Sequence, residues 1–343
     1  MTVTQNRPGV QAERGTRLVR RTFAVRELGI LLALVVLVAA TTIANPRFLS
    51  AQNVKDLLLG STILAILAVG QAVVVITRNV DLSVGSILGL SAFATGSVFL
   101  AAPGLPIPVM LVIGTALGAV LGAVNGGLIA AARVPALVVT LGTLYVFRGL
   151  DYMWATGRQI NAADMPAGFL KMGTATVLGV PVLALFAVVV LVVVGYYTAN
   201  YRSGRELYAL GSDPAAARLS GIPTGRRILY AFVTSGALAG LAGVLYSARF
   251  GTVDANAGQG MELNVVAAVV VGGVAIFGGS GSVYGAALGA VLLTTIRAAL
   301  PVLGINVFWQ DAAVGALILA AIGLDRALSA RVGRSLRERK AHV

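Results

Sequence analysis

The sequence has no cysteine, one histidine and three lysines, and each shortage excludes a kind of chemistry. Without cysteine the chain can form neither disulfides nor thiolate metal sites. The single histidine, His342, lies in a basic tail, so neither a histidine metal site nor a Ser-His-Asp triad is expected. Because no glycine precedes Lys55, Lys171 or Lys340, the phosphate-binding sequence GxxxxGK[ST] is also missing. The chain cannot be a P-loop ATPase by itself.

Charge is scarce as well. Charged residues make up 11% of the 343 residues, whereas 57% are hydrophobic, and the mean hydropathy is +0.89. A soluble domain carries about 25% charged residues, so the composition predicts an integral membrane protein. The net charge of +13 would suggest nucleic acid in a soluble protein. Here the excess of basic residues in cytoplasmic loops of membrane proteins is the simpler explanation.

Ten hydrophobic segments approach or reach the roughly 20 apolar residues that cross a bilayer. They cover approximately residues 28–45, 54–76, 82–101, 107–131, 134–150, 176–198, 228–249, 263–277, 282–300 and 308–325. The fifth and eighth segments are short, which is typical of tilted, broken or re-entrant helices. The sequence therefore predicts an all-α integral membrane protein with about ten transmembrane helices.

Basic residues are concentrated in three segments, which we assign to the cytoplasm. Segments 1–27, 199–227 and 326–343 hold six, five and six basic residues, 17 of the 26 in the chain. Ten spans would place both termini and the loop after the sixth span on this same side. We expect a basic N-terminal tail (1–27), a transmembrane domain (28–325) that includes the cytoplasmic loop 199–227, and a basic C-terminal tail (326–343). The first span is interpreted as an uncleaved anchor, with cleavage near Ala44 as the alternative.

Glycine is abundant, with 42 residues, and some glycines recur at helical spacing. In the fourth segment Gly114, Gly118, Gly122 and Gly126 share one helix face. Similar spacings occur at Gly236 and Gly240 and at Gly281, Gly285 and Gly289. Small residues four apart let membrane helices approach closely. We expect tight packing within the chain; a subunit interface or a sliding contact is the alternative.

Two polar sequences interrupt the spans at membrane depth, where ionisable residues are functional candidates. TRNVDLSVGS (77–86) follows the second span, and GMELNVVAA (260–268) follows the seventh. Asp81 and Glu262 are each followed by leucine, a small polar residue and valine. Because five spans separate the two sites, their orientations are opposite. This predicts an inverted repeat of spans two to five with spans seven to ten, and chance similarity is the alternative.

The polar residues of these breaks and spans are candidates for lining a translocation path. The candidates are Asn79, Asp81, Ser83, Asn125, Thr140, Glu262 and Asn264. Helix capping is the alternative for the two acidic residues, and helix packing is the alternative for Asn125 and Thr140. Three charged residues near span ends are expected to extend toward the membrane surface: Arg148, Arg297 and Asp311.

The segment GSDPAAARLSGI (211–222) predicts a short, well-capped helix in the cytoplasmic loop. Asp213 suits the N-cap, Pro214 the first helical position and Gly221 the position after the C-cap. Leu219 and Ile222 are its only large apolar residues, too few for a helix that rests on a bilayer surface. We therefore expect this helix to dock into a partner protein.

The longer sequence GRELYALGSDPAAARLSGI resembles the cytoplasmic coupling segment of the ribose/xylose-type permeases of bacterial ABC importers. The resemblance runs from about 45 to 325 and includes TRNVDLSVGSILGLSA, NGGLIAAARVPALVVTLGTLYVFRG and ELNVVAAVVVGGVAIFGGSGSVYGAALGA. Where that family more often has Gly-Gly, this chain has Arg78-Asn79. The variant is similar to the permeases of rhamnose and autoinducer-2 import systems, as is FWQDAAVGALILAAIGLDR (308–326).

The resemblance implies a transporter subunit of the bacterial cytoplasmic membrane that needs no cofactor and is not an enzyme. Two permease subunits, identical or different, would form the pore. A separate ATPase, often with two fused nucleotide-binding domains, would supply the energy, and an extracytoplasmic binding protein would deliver the solute to 150–175 and 250–262. By resemblance, the ATPase contact is assigned to Gly211, Asp213, Pro214, Ala216, Arg218 and Gly221.

Three other classes of protein are alternatives to the importer. An ion- or proton-coupled secondary transporter would also have inverted repeats and broken helices, with Asp81, Glu262 and Asp311 as ion sites. The capped cytoplasmic helix and the motif resemblance favour the importer. An intramembrane enzyme would need catalytic residues, but the chain has no cysteine, a single histidine in the tail and no paired acids on one helix. An ion channel would need a repeated filter sequence, which the chain also lacks.

Overall fold

The computed structural model describes residues 9–132, 134–306, 308–310, 312, 315, 316, 319 and 323. Within these residues it is almost entirely helical, as the sequence predicts. The α-helices are α1 Gly9–Ala44, α2 Ala51–Ile76, α3 Val84–Ala101, α4 Ile107–Ala132, α5 Ala136–Ala155, α6 Ala167–Thr174, α7 Val182–Asn200, α8 Arg202–Ser212, α9 Pro214–Leu219, α10 Thr224–Phe250, α11 Met261–Val271 and α12 Val283–Val302. Two 3₁₀ helices (Pro46–Leu49 and Ala162–Asp164) and an antiparallel hairpin of β1 Thr176–Val177 and β2 Val180–Pro181 connect them.

Seven of the described helices are long and apolar enough to cross a membrane: α1, α2, α3, α4, α7, α10 and α12. The fifth and eighth predicted segments correspond to α5, which carries Arg148 and Asp151, and to α11, which has only 11 residues. The tenth predicted segment, 308–325, is described only in part. Asp311 and the C-terminal tail lie outside the described residues. Helix α1 begins at Gly9 and therefore includes part of the 1–27 segment.

Helix α2 lies at the centre of the molecule. It is buried almost continuously from Leu59 to Ile76 and contacts α7, α10, α11 and α12. Its sequence is apolar on every face, which is typical of a helix surrounded by other helices. The other helices are arranged around α2, and their outward faces, as on α4, α5 and α7, expose large apolar side chains.

The helix contacts repeat in the two halves of the chain. Helix α2 packs on α12 as α10 packs on α4, α11 contacts α2 as α3 contacts α10, and α11 contacts α12 as α3 contacts α4. If α2, α3 and α4 are exchanged with α10, α11 and α12 in that order, the same pairs of helices are in contact. Helices α2 and α10 are antiparallel, because Arg249 donates to the Leu59 carbonyl (2.7 Å) while Gly70 lies opposite Ser235. An inverted repeat has these properties.

The glycines of α4 lie against α10 of the same chain. A Cβ added at Gly118 would be 2.7 Å from the Cα of Gly240, and one at Gly126 would be 2.9 Å from the Cα of Leu229. Non-bonded carbon atoms prefer separations of about 3.5–4.0 Å, so a larger residue would force the helices apart. The remaining members of this seam are equally close: Gly114 meets Val244, and Gly122 meets the Phe232 carbonyl. This face packs within the subunit.

Candidate translocation site and docking segment

Asp81 is fully buried just before α3, and its carboxylate is the centre of a hydrogen-bonded cluster. Oδ1 accepts from the Ser83 amide (3.0 Å) and the Ser83 hydroxyl (2.7 Å), and Oδ2 accepts from the Ser235 hydroxyl of α10 (3.3 Å). The side-chain amide of Gln71 bonds the backbone of Asp81 at 3.1 and 3.2 Å when its oxygen faces the Asp81 amide. The carboxylate therefore joins the start of α3 to α10, which also stabilises the start of α3, while the backbone of Asp81 is held by α2.

Two further candidates reach the same break in the chain. Asn125 of α4 donates from Nδ2 to the Ser83 hydroxyl (2.7 Å), and Thr140 of α5 donates to the Val80 carbonyl (3.2 Å). The Oδ1 atom of Asn125 is buried and accepts no hydrogen bond from the described residues. Asp81, Ser83, Asn125 and Thr140 thus form one buried polar cluster between four helices.

Asn79 lies at the end of α2 instead, where its side chain donates to the Thr77 carbonyl and hydroxyl (3.0 Å each). The preceding residue, Arg78, has a left-handed backbone with φ 69°. Arg78 N–H bonds the Val75 carbonyl (2.8 Å), and Asn79 N–H bonds the Val74 carbonyl (3.3 Å). This is the helix end that glycine ordinarily provides, adopted here by an arginine.

Glu262 and Asn264 lie on the first two turns of α11 and diverge. The Glu262 carboxylate faces Gly85 in the first turn of α3, where a Cβ would overlap it. The two helices therefore meet near their N-termini. Asn264 turns toward α12, where its Oδ1 accepts from Arg297 (2.5 Å). Arg297 therefore contacts a neighbouring helix, and Asn264 does not join the Asp81 cluster.

Arg148 does not extend to the membrane surface, so that expectation is wrong. Its side chain is buried on α5, and Nη1 donates to the carbonyls of Ala255 and Ala257 (2.8 Å each), in the segment between α10 and α11. One turn further, Asp151 is 0% exposed, and its carboxylate is 3.9 Å from the same nitrogen. Sequence reasoning missed this pair. Their i,i+3 spacing beside the apolar residues of α5 was the available signal.

The predicted short helix is α9, Pro214–Leu219. The Asp213 carboxylate accepts from the amides of Ala215 (2.9 Å) and Ala216 (3.0 Å), and Pro214 occupies the first helical position. The Ala216 and Ala215 N–H groups and the nearby Arg78 cation hold the pKa of Asp213 below its ordinary value. Gly221 has φ 77°, as expected for a residue after the C-cap.

Most of α9 is open to the outside. Leu219 is 91% exposed, Ala216 and Arg218 are exposed, and a Cβ at Gly221 would meet no atom within 4 Å. Gly211 differs, because it is buried where α8 meets the Ile76 carbonyl and Gly279. Gly211 therefore cannot contact an outside partner in this conformation. It connects the base of α9 to the end of α2.

A charged cluster holds α8 to α10 beside this junction. Glu206 accepts from Arg227 (2.6 Å) and from Arg202 (2.8 Å). The Arg227 hydrogen bond, above the other causes, lowers the pKa of Glu206. Helix α9 is therefore fixed at both ends, by Gly211 on one side and by this cluster on the other.

Comparison with known proteins points to one family. The chain matches the family described as "Branched-chain amino acid transport system / permease component" over residues 53–322. The Autoinducer 2 import system permease protein LsrC of Enterobacter sp. (strain 638) is 38% identical over 316 residues, which cover 92% of this chain and 91% of that protein. The proteins of the same name from Salmonella typhi and Escherichia coli (strain K12 / DH10B) are 35% identical over 92% of this chain and 90% and 91% of their own lengths. No solved structure matches the chain.

Proposed function

The chain belongs to this family of transport-system permease components, and from that premise we propose that it carries autoinducer 2 or a related sugar-like solute into the cell. It is a multi-pass membrane protein and a transporter subunit, not an enzyme. The observation that carries the proposed solute is the identity of 35–38%, over 92% of the chain, with permeases named for autoinducer 2 import. Rhamnose is a second candidate and rests on motif resemblance alone.

We propose that a separate cytoplasmic ATPase, with two fused nucleotide-binding domains, docks on α9. The chain lacks a phosphate-binding GK[ST] sequence, so the energy of ATP must come from a partner. The exposed residues Asp213, Ala216, Arg218 and Gly221, with the half-buried Pro214, would form the contact. Gly211, which is buried, would transmit motion from α9 to the end of α2.

The other proposed partners are a second permease subunit, identical or different, and an extracytoplasmic solute-binding protein. The outward apolar faces of α4, α5 and α7 suit lipid or a second subunit. The binding protein would contact 150–175 and 250–262, on the side opposite α9. In this arrangement the 1–27 and 326–343 tails and the 199–227 loop are cytoplasmic, which accords with their basic residues.

We assign the translocation path to the polar cluster of Asp81, Ser83, Asn125 and Thr140 and to Glu262 beside it. Buried polar groups are costly within a membrane protein and commonly mark a solute route. Asn79 bonds Thr77 at the end of α2, and Asn264 bonds Arg297 of α12; both are assigned to positioning the two breaks.

Co-purification of an ATPase tests the docking proposal. Membranes with wild type, Gly221→Trp and Gly179→Trp would be solubilised in mild detergent and the chain captured. Gly179 is a matched control, because it also has a positive φ (82°) with no atom near its Cβ position, but it lies in the hairpin on the opposite side. We expect the ATPase with wild type and Gly179→Trp and its loss with Gly221→Trp. ATPase bound equally to all three would contradict the docking assignment.

A further inference from the structure

A polar seam between α3 and α5 connects the two breaks in the chain. At one end, Thr140 bonds Val80 in the break before α3. At the other, Arg148 bonds Ala255 and Ala257 in the break before α11. Both donors lie on the buried face of α5. Helix α5 thus touches both of the non-helical segments of the inverted repeat.

The seam is narrow because α3 presents glycine to it. A Cβ added at Gly89 would lie 2.7 Å from Nη1 of Arg148 and 3.2 Å from Oδ2 of Asp151, and it would overlap the Ala257 carbonyl. Charged side chains of α5 therefore lie directly against the backbone of α3. Gly85, one turn earlier, similarly accommodates the Glu262 carboxylate and the Gly258 carbonyl.

Asp151 is the one group of the seam whose burial is not compensated by hydrogen bonds. It is fully buried, and neither carboxylate oxygen has a hydrogen-bond partner among the described residues. The nearby Arg148 nitrogen, at 3.9 Å, is already bonded to two carbonyls. A buried carboxylate without hydrogen bonds is costly, and a structural role would be served better by an apolar residue. The two carboxylate oxygens are therefore available to accept hydrogen bonds from a ligand.

We propose that Asp151 is a solute-binding residue at the outer end of the α3–α5 seam, where it accepts hydrogen bonds from hydroxyl groups of a neutral, polyhydroxylated solute. In the conformation described here the segment 254–257 covers it. Movement of that segment away from Gly89 exposes the carboxylate to a solute from the outer side. Hydroxyl groups then satisfy the two carboxylate oxygens, and Arg148 lies beside them. This inference rests on the proposed function.

The test compares solute import with ATP hydrolysis in proteoliposomes that hold the assembled importer with its binding protein. The variants are Asp151→Asn and Asp151→Ser, with Asp56→Asn as the control. Asp56 is an exposed carboxylate near the start of α2, outside 150–175 and 250–262, and its contact with the Gln52 side-chain amide is one that asparagine can also make. Autoinducer 2 at saturating concentration is the probe.

For both Asp151 variants we expect import to fall at least about tenfold, the effect of losing a charged acceptor, while ATP hydrolysis changes less than about twofold. Asp56→Asn should retain both activities. Import and hydrolysis that fall together, or import that stays at the wild-type rate, would overturn the inference. Absence of autoinducer 2 import by wild type would instead overturn the proposed solute, and L-rhamnose and D-ribose would then be the probes for the same comparison.

Discussion

Replacement of Gly118 by alanine should destabilise the protein, because this glycine sets the distance between α4 and α10. The added Cβ would lie 2.7 Å from the Cα and N of Gly240 and would overlap the Gly236 carbonyl. Since ordinary contacts need about 3.5–4.0 Å, the two helices would have to separate by about 1 Å. Overpacking of this kind costs roughly 1–3 kcal/mol.

Gly127→Ala provides the reference for this measurement. Gly127 lies on the same helix, but a Cβ there would meet no atom within 4 Å. Both substitutions gain the helix propensity of alanine, about 0.8–1 kcal/mol, so the difference between the variants isolates the packing cost. We expect Gly127→Ala to melt at or above the wild-type temperature in mild detergent and Gly118→Ala to melt several degrees lower. Equal melting temperatures for the two variants would refute the close-packing argument.

Further substitutions test three other features of the structure. Asp81→Ala should lower the free energy of unfolding by about 1–3 kcal/mol, because two buried hydroxyl groups lose their acceptor. Asp81→Asn should lower it less. Equal melting temperatures for the two variants would contradict a structural role of these hydrogen bonds. Arg78→Gly should raise the free energy of unfolding by about 1 kcal/mol, because glycine adopts the left-handed backbone without strain. Thr77→Gly, where φ is −82°, should lower it. A loss of stability at both positions would show that the Arg78 backbone is not strained. Glu206→Gln should melt below wild type at pH 7. Arg227 lowers the pKa of Glu206 in the folded protein, so wild type should lose this advantage as the pH falls through that pKa. A difference in melting temperature that does not change with pH would contradict the ion pair.

Local features of the docking helix were predictable because they depend on neighbouring residues. An aspartate before proline and a glycine after two turns specify the start and end of α9 without reference to the rest of the chain. The glycine period of α4 likewise predicted a packing face. Its partner, α10, lies more than 100 residues away, and only the folded arrangement identifies Gly236 and Gly240 as the opposing surface.

The Arg148–Asp151 pair illustrates what the sequence could not specify. In the sequence both residues lie at the end of a span, where long charged side chains ordinarily reach water. They are buried because the segment before α11 folds back over α3 and offers two carbonyls to Arg148. The burial of Gly211 has a similar origin, since Ile76 and Gly279 come from distant parts of the chain. Long-range contacts of this kind leave no periodic signal.

The measurement that tests the account most directly is the energy source of uptake. The chain would be reconstituted into proteoliposomes with its ATPase, its second permease subunit and its binding protein, and autoinducer 2 would be supplied on the side opposite α9. We predict that uptake requires ATP on the α9 side and persists when ionophores abolish proton and sodium gradients. Uptake that an ion gradient drives without ATP would contradict the importer mechanism and support a secondary transporter.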